Sequence, residues 1–439
     1  MDLLTGNIKR AYFRYLSAAF GSALISSIYY IVDMAMVGQY QGPDGTAALA
    51  VVAPVWNLIY SLGLLTGIGG AVLFSNARGS GHGQRSNEWF TAALLASAVL
   101  AAVSWAVILI WSEPMLRLFG ADAVLLPLAA DYLRPIQFVA PLFLFNQMLA
   151  AFLRNDNRPG LATAAVLAGG IFNVVGDYVF VFPMDLGLYG AGLATSVGCV
   201  ITSVVMLTHF FTRRNTLRLV WPRQLLRQLG QICLTGFSAF FLDMAMGILT
   251  MLFNRQIMRY FGASALSVYG ILVNISTVVQ CCGYSVGQAA QPLLSINYGA
   301  GKWDRTAQIL KYAAMSAGVF GILWCLVVLL APNGFVHLFM APTAEVLAIA
   351  PHILRTYGLS FLLLPFNVFS TYYFQSLMRP GASFAISVTR GIVLSGLLVC
   401  LLPVLFGAEL IWYAMPITEL AVALLVAVWI RNCQRTLTH

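Results

Sequence analysis

Four acids interrupt stretches of sequence that are otherwise apolar: Asp33, Asp177, Asp243 and Glu419. An acid such as Asp at the centre of a membrane helix costs about 2.5–3.5 kcal/mol on insertion scales, so each needs a partner, a water-filled cavity or a proton. Asn173 precedes Asp177 by four residues, which on a helix leaves the two about 40° apart and on one face. Thr195 stands in the next apolar segment. Two carboxylates, an amide carbonyl and a hydroxyl are hard oxygen donors suited to Na⁺, and paired carboxylates can equally share a proton. The expected chemistry is reversible capture of a small cation by Asp33, Asn173, Asp177 and Thr195, with Na⁺ or H⁺ as transported cargo, no catalytic residue and no resident cofactor. Paired histidines, a nucleophile elbow and an acid-plus-histidine motif, any of which would suggest a membrane-bound enzyme, are absent from the sequence. The glycines near 63–70 and 79–83 read as helix packing and a turn, since the first group lacks a P-loop lysine and lies in an apolar segment.

The elements that must position these oxygens are membrane helices. Sixty per cent of the 439 residues are apolar and nine per cent charged, against roughly 25% charged in a soluble protein. The apolar residues fall into twelve blocks, approximately 12–37, 47–76, 88–111, 127–153, 161–183, 188–212, 230–258, 264–298, 308–331, 350–378, 384–405 and 410–433. Each has the length a helix needs to cross a bilayer of about 30 Å. Alternation at period two, the mark of a membrane β-barrel, is missing. The fold class expected is all-α and integral to the membrane.

The net charge of +9 reflects topology and excludes a nucleic-acid partner from the reading. With a cytoplasmic N-terminus, Lys9, Arg10, Arg14, Arg78, Arg85, the run Arg213 to Arg227, Lys302, Arg305 and Arg431 all fall inside, while Arg117, Arg134, Arg255, Arg259 and Arg355 fall outside. That bias predicts both termini in the cytoplasm. The basic start running into the first apolar block, with no cleavage site, reads as a membrane helix and not as a removable signal. The cysteines lie in or at the end of apolar segments without metal or disulfide spacing and read as packing residues. In this topology the first and fifth segments run outward and the sixth inward, so Asp33, Asp177 and Thr195 each lie about six or seven residues from an external end, at similar depth.

The chain also repeats itself. A shift of 220 residues superposes Gly63, Gly67, Leu73, Ser75, Gly79, Gly81 and Arg85 on Gly283, Gly287, Leu293, Ser295, Gly299, Gly301 and Arg305. A shift of 221 aligns Leu133-Arg134, Phe145-Asn146 and Arg158-Pro159-Gly160 with Leu354-Arg355, Phe366-Asn367 and Arg379-Pro380-Gly381. So many matches at nearly one offset imply duplication into two parallel six-helix repeats. The expected divisions are a lobe over 1–212, a basic cytoplasmic linker over 213–229 and a second lobe over 230–439. The oxygen set belongs to the first repeat alone: Asp33 corresponds to Phe253, Asn173 and Asp177 to about Leu394 and Leu398, and Thr195 to Met415. Asp243 and Glu419 correspond to Ala23 and Cys199 and become secondary candidates for substrate charge or proton movement. Cavity walls between the halves are expected from Tyr29, Tyr30, Asn146, Gln147, Tyr178, Tyr269, Gln288, Asn367 and Gln375, with neighbouring methionines, because aromatic and methionine surfaces hold flat or greasy cations.

Ile31-Val32-Asp33 leading to Val37-Gly38, Phe152-Leu153-Arg154-Asn155-Asp156-Asn157-Arg158-Pro159, the Asn173 to Asp177 pair, and the run from Gly287-Gln288-Ala289-Ala290-Gln291-Pro292 to Asn297-Tyr298-Gly299-Ala300 resemble bacterial multidrug and toxic compound extrusion (MATE) transporters. The resemblance spans essentially the whole chain. It implies a V-shaped pair of six-helix lobes, alternating access, and efflux of cationic or amphipathic small molecules in antiport with Na⁺ or H⁺ across the bacterial cytoplasmic membrane by a protein working as a monomer. It also implies a first-lobe cation site at Asp33, Asn173, Asp177 and Thr195. Asp243 matches a second-lobe acid of some members, whereas the tenth segment offers Asn367 and no carboxylate. The alternative within transport is a flippase of a lipid-linked saccharide or lipid, whose phosphate would call for several intramembrane cations; only Arg390 is deeply placed, against four acids. A channel filter is not seen in the sequence.

Overall fold

The computed structural model describes residues 3–339 and 343–438. Helices α1 (Ile8–Gly79), α2 (Gly83–Leu118), α3 (Leu125–Asn155), α4 (Pro159–Val181), α5 (Gly187–Leu207), α6 (Leu225–Tyr260) and α7 (Ala263–Gly299) are followed by α8 (Trp303–Leu330), α9 (Pro332–Phe339), α10 (Ala344–Gly358), α11 (Leu364–Ser376), α12 (Pro380–Val388), α13 (Leu394–Phe406) and α14 (Ala414–Thr438). No strand occurs among the described residues.

Among the described residues, eleven helical stretches are long and apolar enough to cross a membrane. The first is double: α1 is broken at Gly42 (φ 69°) ahead of Pro43. A side chain on Gly38 would meet the Thr46 methyl group at 2.9 Å; eight helical residues would separate them by about 12 Å, so the chain turns back there. The twelve segments read from the sequence are recovered. Three have internal structure that hydropathy does not encode. A short 3-10 turn, Leu359–Leu362, separates α10 from α11, a π-turn, Thr389–Val393, separates α12 from α13, and α2 kinks at Trp111. The small helix α9 was not expected.

Among the described residues, eight with left-handed backbone form four pairs at the repeat offset. Gly42 and Gly262 (φ 69° and 79°), Gly81 and Gly301 (82° and 68°), Asn157 and Met378 (60° and 55°), and Gly187 and Gly407 (52° and 107°) each end or begin helices. Two of these left-handed positions, Asn157 and Met378, are not glycine, so the turns match even where residue types have diverged.

The chain divides into two compact units. One is Ser17–Phe240; the other joins the N-terminal residues up to Leu16 to Phe241–His439. These limits differ from the 1–212, 213–229 and 230–439 read from the sequence, for identifiable reasons. Residues 3–16 belong to the second unit because Arg305 donates to the carbonyls of Leu3 and Gly6, Lys302 to that of Leu4, and Tyr12 stacks on Tyr312. The basic linker is fixed to the first unit: the backbone amides of Thr216, Arg218 and Val220 donate to Asp156, Asn87 and Thr91, and Gln228 donates to Glu88.

Within the first unit, Val52, Val55 and Ile59 of α1 pack with Ile108 of α2, Leu133, Ile136 and Leu144 of α3, and Leu188 and Ala191 of α5. Outward, α2 exposes Val99, Val103, Leu109 and Ile110, and its counterpart α8 exposes Met315, Val319, Ile322 and Leu326. Bands of this kind call for lipid as the surrounding solvent, while the helical backbone satisfies itself.

Candidate functional site: a buried oxygen cluster in the first unit

The cluster exists because helices approach one another without intervening side chains. A Cβ on Gly198 of α5 would lie 2.7 Å from the carbonyl oxygen of Gly169 on α4, and one on Gly192 would lie 2.2 Å from the carbonyl of Tyr132 on α3. Such small-residue contacts let membrane helices meet backbone to backbone. They bring the polar residues of α3, α4 and α5 to one place, beside the first half of α1.

Asn173 and Asp177 share a face of α4, as their spacing requires. The Asn173 Nδ2 donates to Thr195 Oγ1 at 3.1 Å and makes a longer contact of 3.4 Å with Asp177 Oδ1. Asp33 is 4% exposed and Asp177 fully buried, and the two carboxylates are near enough to interact electrostatically. Asp33 Oδ2 accepts a 2.7 Å hydrogen bond from the Tyr132 hydroxyl. Tyr132 also interacts with Thr195 and with the charge of Asp177, so its hydroxyl stands among three members of the cluster.

Three oxygens in this cluster are buried without a hydrogen-bond partner: Asp33 Oδ1, Asn173 Oδ1 and Asp177 Oδ2. An unpaired buried acceptor costs about 1–3 kcal/mol, and a charged one more. The geometry therefore has room in its bonding for one more positive species, either a proton on a carboxylate or a hard cation among the oxygens. No group of three His, Cys, Asp or Glu able to hold a metal occurs among the described residues.

Tyr132 was not among the residues singled out by sequence. The repeat comparison carried a signal for it, since its counterpart at the 221 offset is Ile353, the same polar-to-apolar replacement that marks Asp33 and Phe253.

The secondary candidates separate. Asn146 donates to the Cys199 carbonyl at 3.1 Å and accepts from Ser203 at 2.9 Å, so it clamps α3 to α5 and its bonding is internal. Its repeat partner Asn367 does the same, donating to the Glu419 carbonyl at 2.8 Å. Gln147 is half-buried against Gly63. Tyr178, 56% exposed, projects from α4 about 100° away from Asp177. Tyr269 is buried and stacks on Phe253 at 5.0 Å. Gln288 is half-buried and Gln375 fully buried in the second unit. The side chain of Tyr30 lies outside the described residues. Asp243 accepts from the Tyr284 hydroxyl at 2.8 Å. Glu419 is held by Arg390, Nε to Oε1 2.8 Å, and by Asn367, Nδ2 to Oε2 2.6 Å. The expectation that four acids stand against one deep arginine is thus reduced to three, since Glu419 and Arg390 neutralise each other. All seven cysteines are free thiols.

On the cytoplasmic side of the expected topology, Asp156 receives Arg78 Nη1 at 3.0 Å, His209 Nε2 at 2.6 Å, the Thr216 amide at 3.1 Å and the Thr216 hydroxyl. Burial pushes its carboxyl upward, but these donors outweigh burial and hold it below the usual range. This is a structural knot that ties the α3–α4 turn to the linker.

An internally duplicated, twelve-segment helical chain with a buried oxygen cluster confined to one repeat has the architecture of a multi-pass membrane transporter. The MatE family model matches residues 18–179 and again residues 238–401, one match per repeat, and the chain belongs to that family. The multidrug export protein MepA of Staphylococcus aureus strain MRSA252 is 24% identical over 405 residues, covering 91% of this chain and 88% of that protein. MepA of Staphylococcus saprophyticus is 23% identical over 386 residues, covering 88% and 83%. Among solved structures, an outward-facing multidrug resistance MATE family transporter of the MOP superfamily superposes with a TM-score of 0.90 at 20% identity, covering 99% of this chain and 98% of that one. A MOP superfamily transporter from Pyrococcus furiosus, described as having a binding pocket of reverse polarity, superposes with a TM-score of 0.91 at 21% identity, covering 100% and 98%.

Proposed function

We propose that the protein is a secondary active multidrug exporter of the bacterial cytoplasmic membrane. It moves cationic or amphipathic small molecules outward by alternating access, in exchange for Na⁺ or H⁺ entering through Asp33, Asn173, Asp177 and Thr195. The single observation that carries the coupling is the trio of unpartnered oxygens on Asp33, Asn173 and Asp177. A carboxylate pair in low dielectric repels itself strongly when both members are ionised and empty, so the cluster favours a state with one added positive charge. Alternation between a filled and an emptied cluster gives the first repeat two energetically distinct states, which is what coupling to a second ligand requires. The export reading draws on the multidrug export proteins to which the chain is similar across most of its length. The distribution of Lys and Arg supports a cytoplasmic position for both termini, and one chain carrying all four cluster residues supports a working monomer.

The test is efflux of ethidium from proteoliposomes holding the purified protein, with Na⁺ and proton gradients imposed separately. Acceleration by either gradient supports antiport and names the ion. Efflux that ignores both gradients excludes it.

A further inference from the structure

The connection between α5 and α6 carries five arginines, Arg213, Arg214, Arg218, Arg223 and Arg227, and no acid occurs between Asp185 and Asp243. All five arginines are exposed. The acids beneath the connection, Glu88 and Asp156, are buried and already engaged. Asp156 holds Arg78, His209 and Thr216, and Glu88 holds Gln228. Of the five arginines, only Arg223 forms an ion pair with a described residue, to Glu88 at 3.7 Å, and its side chain is 78% exposed. The positive charge of this stretch therefore faces outward uncancelled.

Apolar side chains stand among these charges. Phe211 and Leu226, 91% and 86% exposed, are the two most exposed large apolar residues among those described, and Trp221 and Leu219 are 73% and 72% exposed. They belong to a fixed segment. The amides of Thr216, Arg218 and Val220, at every second residue, donate to the first unit, and Leu217 is buried in its core with Phe74, Phe90 and Ile232. Phe211 continues the exposed face that Val200, Val204 and Leu207 form on α5, since steps of four, three and four residues return to one side of a helix. Leu226 shares a side of α6 with Cys233 and Phe237, seven and eleven residues on, both exposed. Lipid covers such faces. The connection thus begins about one helical turn past Leu207, where α5 leaves the hydrocarbon, and returns to it with Leu226.

We propose that the exposed face of residues 211–227 is a binding surface for anionic phospholipid in the leaflet it borders. The arginines take the lipid phosphates, and Phe211, Leu219, Trp221 and Leu226 enter the boundary between headgroups and acyl chains. A guanidinium presents paired donors that match phosphate oxygens, and clustered basic residues beside a membrane helix attract anionic lipid. Interleaved Trp, Phe and Leu supply the apolar half of an interfacial contact. A soluble polyanion would meet the charges but leave Phe211 and Leu226 in water at the ends of two lipid-covered faces. Because the backbone of the connection is already pinned to the first unit, binding costs little ordering of the chain. The inference goes beyond the export reading: it needs the membrane-spanning fold and is independent of the cargo and the driving ion.

The test is equilibrium binding of phospholipid labelled with pyrene on an acyl chain to the detergent-purified full chain, read by energy transfer from tryptophan to pyrene. Wild type takes phosphatidylglycerol roughly tenfold or more tightly than phosphatidylcholine, and the preference shrinks as added salt screens the exposed charges. The triple variant Arg213→Gln, Arg214→Gln, Arg218→Gln weakens phosphatidylglycerol roughly tenfold, as the loss of three surface charges should, and leaves phosphatidylcholine within about twofold. The same three positions changed to lysine keep the preference. Arg117→Gln, Arg134→Gln, Arg259→Gln removes equal charge from the other expected face and leaves both lipids within about twofold. No preference in wild type, or equal losses from the two glutamine triples, overturns the surface. Displacement of phosphatidylglycerol by an equal concentration of glycerol phosphate or of an oligonucleotide also overturns it, in favour of a soluble anion or a nucleic acid. Ethidium efflux is measured separately, so failure here leaves the export reading standing.

Discussion

Replacing Gly198 by alanine adds one methyl group at the tightest point between α4 and α5 near the oxygen cluster. The new Cβ would stand 2.7 Å from the Gly169 carbonyl oxygen, where ordinary contact begins at 3.4 Å. Relief requires the helices to part by roughly 0.7 Å, since a packed interior has no slack to absorb the overlap. That movement stretches the Asn173–Thr195 hydrogen bond from 3.1 Å to roughly 3.8 Å, past the reach of a hydrogen bond. Losing one neutral bond is worth about 1 kcal/mol, or about fivefold in the affinity of the cluster for its ion. Alanine also raises helix propensity by up to about 1 kcal/mol over glycine, so thermal stability should change little while coupling weakens. The assay is the half-saturating concentration of the driving ion in dye efflux, with Gly230→Ala as control because its Cβ meets nothing within 4 Å. If Gly198→Ala shows the same ion dependence as the control, helix proximity does not set the ion site and the reasoning fails.

Tyr132→Phe keeps the ring and removes the donor to Asp33; a hydrogen bond to an ionised acceptor is worth about 1.5–3 kcal/mol, so gradient-driven efflux should slow at least tenfold with dye binding unchanged, and an unaltered rate would take Tyr132 out of the site. Asp156→Asn loses the acceptor shared by Arg78, His209 and Thr216 and should lower the thermal midpoint by an amount equivalent to about 3–5 kcal/mol, as for other broken buried pairs. Because the Asp156 carboxyl is held below its ordinary range, its contribution is fully present above the unfolded value near pH 4 and lost as pH falls through the folded one; scans of the wild type and of Asp156→Asn should therefore converge in strong acid, and parallel curves down to that range would refute the assignment.

The level shared by Asp33, Asn173, Asp177 and Thr195 could be read from the sequence because helical rise is uniform and membrane ends are marked by polar residues. Their actual meeting depends on Gly169, Gly192 and Gly198, whose value lies in what they lack, and a glycine in an apolar run does not declare which helix it faces. Tyr132 is placed by α3, far from Asp33 along the chain. Asn146 looked like a cavity residue because a polar side chain in a membrane helix attracts functional readings; its amide instead satisfies the α5 backbone and Ser203. Glu419 read as a candidate for substrate charge or proton movement and Arg390 as the one deeply placed cation, unpaired with each other, since nothing in spacing pairs residues from two different helices. The repeat offset was the most informative signal, and the structure sets left-handed turns at that same offset, Gly42 with Gly262 and Asn157 with Met378. The limits of the compact units were not legible, because they depend on hydrogen bonds such as Arg305 to Leu3 and Gly6 that join distant parts of the chain.

The most direct measurement of the central claim compares wild type, Asp33→Asn and Asp177→Asn in proteoliposomes under an imposed gradient of the driving ion, with dye binding to each purified protein recorded alongside. The account predicts that the wild-type gradient accelerates efflux and that both variants bind dye normally yet lose that acceleration. Gradient-accelerated efflux at the wild-type rate from both variants would contradict it.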